Sequence, residues 1–183
     1  SVRGEVQAWS SDGKELGAIL ADLPSDGLHQ NNGLVQGPDG RLYLGMGTAS
    51  NASPSKETDW NGTVLSFDAD AGRTEVFARG LRNPFDLAFD AQGALWVGTA
   101  RGLYRVDLST KRVDHWGKKA GLPGTKVLSL APSHDGSILV GTDRGPRRLR
   151  EGRIEDLGPR VREWAVWAIA ESVDPERGAR IWL

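Results

Sequence analysis

The sequence predicts an all-β fold, and three observations carry that expectation. Twenty-four glycines and seven tryptophans in 183 residues combine many turns with large apolar rings, the composition of short strands packed face to face. Apolar and polar residues alternate over short runs, and no stretch shows capped helical periodicity. The third observation is a repeat. GLVQGPDGRLYLGMG (33–47), DLAFDAQGALWVGTA (86–100), VLSLAPSHDGSILVGTD (127–143) and AIAESVDPERGARIWL (168–183) each read as strand, glycine turn, strand. Their turn glycines, Gly40, Gly93, Gly136 and Gly178, stand 53, 43 and 42 residues apart. A period of about 40–45 residues is that of the four-stranded blade of a β-propeller.

The elements follow in order. GEVQAWSSDGKELGAIL (4–20) reads as two strands that open the chain. GTVLSFD (62–68) and TEVFARG (74–80) complete the first repeat, after a polar insertion, ASNASPSKETDW (49–60), that lengthens its interval. GLYRVDL (102–108) with RVDHWG (112–117), and PRRLREG (146–152) with RIEDLG (153–158), complete the second and third. The fourth hairpin is followed by no further strands, and the two opening strands supply what it lacks. The expectation is one domain over 1–183 with four four-stranded blades. Its pieces are 1–27 (outer strands of the closing blade), 28–80, 81–121, 122–158 and 159–183. This two-plus-two closure removes open sheet edges; completion of a larger ring by a second chain is the alternative. Trp96 and Trp182 read as matching core positions on inner strands, with Tyr43 and Leu139 in the other blades.

Composition excludes several function classes. The net charge of −1 gives no footprint for nucleic acid. No apolar run has the roughly 20 residues of a membrane span. Cysteine is absent, which removes disulfides, thiolate metal sites and cysteine nucleophiles. That fits either the cytoplasm or a bacterial periplasm, and the expectation is a periplasmic or secreted bacterial protein; no signal peptide is visible, and a leader removed ahead of Ser1 is compatible with this. His115 and His134 read as surface residues on an outer strand and a turn, and no histidine pair has metal-ligand spacing. Asp68 and Asp70 read as an Asx-turn. GKKAGLPGTK lacks phosphate-loop spacing. Two glycosylation sequons, at Asn51 and Asn61, fall in polar loops. PRRLREGR reads as an exposed strand and turn.

In a propeller, the loops joining successive blades gather on one face. That places His29, Gln30 and Asn32, the 48–61 segment, Arg82 and Asn83, Lys126, and Arg160 and Arg162 around one mouth, a polar setting suited to a small ligand.

HQNNGLVQGPDGRLYLGMG, GTVLSFD and GLRNPFDLAFDAQGALW together resemble the soluble PQQ-dependent sugar dehydrogenases, the aldose and sorbosone dehydrogenase group, over residues 20–97. The resemblance implies PQQ and calcium as cofactors. It makes His29 the base that takes the proton from the sugar C1 hydroxyl while hydride passes to the quinone. It puts Arg82 over the quinone oxygens and Asn83 in hydrogen-bonding reach of the cofactor. From about residue 95 the pattern changes. GLPGTKVLSLAPSHDGSILVGTDRG resembles the repeats of two-component-regulator sensor propellers, so the chain reads as a hybrid or as a piece of a larger ring.

Three function classes follow. The first is a non-enzymatic or catalytically incomplete propeller, a scaffold or ligand-binding module. The second is a PQQ- and calcium-dependent sugar or aldehyde dehydrogenase. The third is a sensor propeller that binds a small signal or a partner protein. The first is the expectation, because the dehydrogenase resemblance implies a calcium loop and further blades that the second half replaces with sensor-type repeats. The expected partner is a small-molecule sugar, with the chain a monomer or a ring-completing homodimer.

Overall fold

The computed structural model describes residues 3–24, 32–48, 60–70 and 72–183. His29 and Gln30 therefore lie outside the described residues, as does most of the polar insertion with its sequon at Asn51. The chain divides into two compact units, Ser1–Asn83 and Pro84–Leu183.

The first unit holds β1 (Arg3–Trp9) and β2 (Glu15–Pro24), paired antiparallel as a two-stranded sheet. It also holds β3 (Asn32–Gln36), β4 (Leu42–Gly45), β5 (Val64–Phe67) and β6 (Thr74–Ala78), a four-stranded meander in sequence order. β5, VLSF, is buried along its whole length, as an inner strand covered on both faces must be. Val6 and Leu23 of the hairpin pack with Leu44, Met46, Leu65 and Phe67 of the meander into one apolar cluster.

The second unit repeats the same meander twice. β7 (Pro84–Phe89), β8 (Leu95–Thr99), β9 (Gly102–Val106) and β10 (Val113–Trp116) form one sheet. β11 (Val127–Pro132), β12 (Ile138–Thr142), β13 (Gly145–Arg150) and β14 (Arg153–Asp156) form the next. β15 (Ala170–Asp174) and β16 (Gly178–Trp182) pair as a two-stranded sheet. The described residues contain no α-helix. The only helical pieces among them are two 3-10 turns, Lys118–Ala120 and Pro159–Val161.

Neighbouring sheets in this unit meet by one repeated device. A β-carbon placed on Gly98 of β8 would sit 2.7 Å from Val127 Cγ1 and 3.0 Å from the Val127 carbonyl oxygen. Gly141, the matching residue of β12, faces Val166 in the same way, with the Val166 carbonyl oxygen 2.6 Å from such a carbon. Glycine on the inner strand thus lets β11, at Gly98, and the segment leading into β15, at Gly141, approach closely. Polar clamps reinforce the joint. The Leu130 N–H donates to Asp86 Oδ2 at 2.8 Å, and Ser129 Oγ donates to the Val166 carbonyl at 2.9 Å. Burial pushes the Asp86 carboxyl above the usual range, against the two backbone N–H groups that favour its charged form.

Two expectations are corrected. Trp182 is not a core residue: it is 56% exposed. Counting from the turn glycine, the residue that matches Trp96 and Leu139 is Ile181, which packs against Leu139, Val166 and Ile169. Trp182 is the next residue along, paired with Ala170 and carried on the opposite face of β16. PRRLREGR is not simply exposed either. Pro146, Arg147 and Leu149 are buried on β13. Arg147 donates to the Pro146 carbonyl at 2.7 Å and pairs with Asp156 at 3.2 Å, so its charge is compensated where it is buried.

Candidate functional site

The GLRNP motif can be judged residue by residue. Asn83 lies between β6 and β7 with φ of 51°, a left-handed conformation that asparagine tolerates better than most residues. Its side chain is buried, and Oδ1 accepts from the Thr48 N–H at 3.2 Å and from Thr48 Oγ1 at 2.5 Å. The amide carbonyl is thereby spent on the loop after β4. Arg82, its neighbour, is half-buried. Asn32 opens β3 opposite Gly45. Asn83 is thus held inside the fold. Among the described residues no three His, Asp or Glu side chains converge as metal ligands.

In the second unit, Lys126, Arg160 and Arg162 are exposed, and Lys126 and Arg162 engage different partners. The Lys126 N–H donates to Asp143 Oδ1 at 3.3 Å. Arg162 Nε donates to Asp156 Oδ2 at 2.6 Å. His115 stacks on Tyr104 with centroids 4.4 Å apart and bonds the Arg101 carbonyl. His134 and Ser133 converge on Glu171 of β15, whose carboxylate is buried. Burial works against the charge on Glu171, but the backbone and ring of His134 and the Ser133 hydroxyl hold it below the usual glutamate range. Asp68 accepts from the Asp70 N–H at 2.9 Å, the Asx-turn expected there.

Sequence reasoning missed a second group of residues. Asp90, at the β7–β8 turn, accepts from the Gln92 and Ala94 N–H groups through Oδ1. Its Oδ2 accepts from Trp96 Nε1 at 2.8 Å and from Arg105 Nε at 3.2 Å. Asp39 makes the corresponding bond to Tyr43 in the first unit, at 2.8 Å. There burial, together with the Asp39 carboxylate, pushes the Tyr43 phenol well up. A buried aromatic with a polar tip needs a partner, and that requirement was the available signal. Beyond Trp96, a cleft of about 300 Å³ opens between the sheets β7–β10 and β11–β14. Trp116 forms one wall. Its ring lies 5.2 Å from that of Trp96, and its Nε1 donates to the Gly152 carbonyl at 3.1 Å.

Antiparallel meanders, stacked in the second unit through an inner-strand glycine, now stand beside the known folds. No family profile and no curated protein sequence matches the chain. Solved structures do. The blades are those of β-propellers. Virginiamycin B lyase from Staphylococcus aureus, in a catalytically inactive variant with quinupristin, aligns over 90% of this chain and 52% of its own. Its TM-score is 0.64 at 12% identity. An oxidoreductase (glucose dehydrogenase) from Thermus thermophilus aligns over 92% of this chain and 64% of its own, with TM-score 0.61 at 20% identity. The extracellular domain of a one-component system from B. thetaiotaomicron covers 97% of this chain, with TM-score 0.61 at 15% identity. This chain spans only 24% of that domain's length. Dehydrogenase-like and sensor-domain propellers thus both stand among the structural neighbours, the two groups that the halves of the sequence resemble. At such identities the likeness is one of fold, and function has to be argued from the site.

Proposed function

We propose that the chain is a non-catalytic β-propeller module, a scaffold or ligand-binding piece that works in the periplasm or outside the cell. The observation that carries this reading is Asn83. In the motif that most resembles a quinoprotein, the residue that would contact the cofactor serves as a buried strut to Thr48. A propeller domain over 1–183, closed by its own first strands or by those of a second copy, is part of the same reading. So is a small sugar as one candidate ligand. The extracellular sensor neighbour favours a signal-binding version of this role over a purely structural one.

A second reading draws on the glucose dehydrogenase neighbour: a sugar or aldehyde dehydrogenase dependent on PQQ and calcium, with His29 as base and Arg82 beside the quinone. One experiment separates the two. The folded protein is mixed with excess PQQ and calcium, and dye-linked oxidation of an aldose panel is followed beside His29→Ala. No PQQ-dependent turnover is expected in either protein. Turnover in the unmodified chain that His29→Ala abolishes would overturn the non-catalytic reading.

A further inference from the structure

The cleft between the sheets β7–β10 and β11–β14 is lined by none of the residues that sequence reasoning assigned to a site. Its volume, about 300 Å³, is at the small end of ligand pockets. Two features define its chemistry.

The first is aromatic. The Trp96 ring already carries a cation, since the Arg105 guanidinium carbon lies over it, 5.8 Å from the centroid. Asp90 fixes that guanidinium through Nε. One aromatic face in the cleft is therefore occupied by the chain itself. Trp116 is the second ring. It is only half-buried, and its bond to the Gly152 carbonyl fixes its orientation.

The second feature is charge. Three carboxylates, Asp90, Asp114 and Glu151, line the cleft against one guanidinium, Arg105. Arg105 compensates Asp90 in a pair that is largely out of solvent. Asp114 pairs with Arg112, whose side chain is 74% exposed, so solvent screens that pair. The balance left in the cleft is negative. Glu151 has a further peculiarity. It occupies the first position of a two-residue turn, Glu151-Gly152, with φ of 50° followed by 78°. Such turns favour asparagine, aspartate or glycine at that position. Glutamate is a poor choice for the backbone, so the turn does not account for it.

We infer that this cleft binds a small organic cation of the quaternary ammonium type, with its charge over the Trp116 ring and the Glu151 and Asp114 carboxylates as counter-ions. An alkylated ammonium unites the two demands of the cleft, apolar bulk against an indole and positive charge beside carboxylates. The neutral sugar named above as a candidate would use the ring but not the charge.

The test uses choline chloride as probe, with its uncharged isostere 3,3-dimethyl-1-butanol and with glucose as the competing classes. Binding is followed on the indole N–H resonance of Trp116, assigned with Trp116→Phe, and by titration calorimetry. The expected result is saturable binding of choline at millimolar concentration, with the isostere at least about tenfold weaker. Glu151→Asn, which suits the turn, should keep the melting temperature and weaken choline about tenfold. Equal binding of the isostere, preferential binding of glucose, an unchanged affinity in Glu151→Asn, or no binding of choline would each overturn the assignment. Dye-linked turnover with PQQ would overturn the proposed function and leave this result standing, because the two experiments address different residues.

Discussion

β12 and β16 begin from the same kind of sequence, an apolar run after a glycine turn, and end in opposite environments. Every residue of β12, Ile138 to Thr142, is buried. In β16 only Ile181 is even half-buried. β12 lies between β11 and β13 in a four-stranded sheet, whereas among the described residues β16 pairs only with β15. The Val140 face of β12 packs toward Val127 and Leu130, and its Leu139 face packs on Val166 and Ile169. The lesson is that a propeller strand is buried by its neighbours rather than by its own hydrophobicity. The exposed tryptophans among the described residues lie on or just before the two-stranded sheets: Trp9 on β1, Trp164 and Trp167 before β15, and Trp182 on β16.

The strongest way to break this comparison is to truncate matching residues. Leu139→Ala should cost about 2–5 kcal/mol, because Leu139 is fully buried. Ile181→Ala should cost less than about half of that. Urea denaturation of both variants gives the answer, and equal losses would dissolve the contrast. Next comes the inter-sheet glycine. Gly98→Ala drives a methyl group into Val127 and should cost about 1–3 kcal/mol. Gly136→Ala, a turn position with open space but φ of 81°, is the control at about 1–2 kcal/mol. A smaller effect is expected from Asp90→Asn, which weakens the bonds to Trp96 and Arg105 by about 1–2 kcal/mol in total; thermal melts suffice to see it.

The smallest expected effect is one of pH. Glu171 ties β15 to the turn that carries His134, and its folded pKa lies below the unfolded one. That contribution is present above the ordinary glutamate pKa of about 4.3. It is lost as pH falls through the lower folded value. Glu171→Gln should flatten the acid limb of stability against pH while leaving the limb above neutrality unchanged.

Much of this was legible in sequence. The glycine turns, the order of the strands and the blade period all follow from local chemistry, in which Asp, Gly and alternation act within a few residues. The Asx-turn at Asp68 was legible for the same reason. What was not legible depends on partners distant in sequence. The bond from Thr48 to the Asn83 carbonyl spans 35 residues and could not be read from the GLRNP motif. Arg147 is a nearer case: it reads as exposed until strand pairing sets Asp156 opposite it and compensates its charge. Trp182 reads as a core position when the repeats are aligned on their aromatics, whereas counting from the turn glycine puts Ile181 there, packed on Leu139, Val166 and Ile169. The cleft of Trp96, Trp116 and Glu151 joins two sheets, so no single repeat contains it.

Complete blades hold their inner strands through their neighbours, and β16 lacks that support. Native-state amide hydrogen exchange tests this directly. The amides of Leu139 and Val140 should exchange only through global unfolding, and those of Arg180 and Trp182 orders of magnitude faster. Equal protection of the two strands would contradict this, and would mean that other strands cover the edge of β16 in solution.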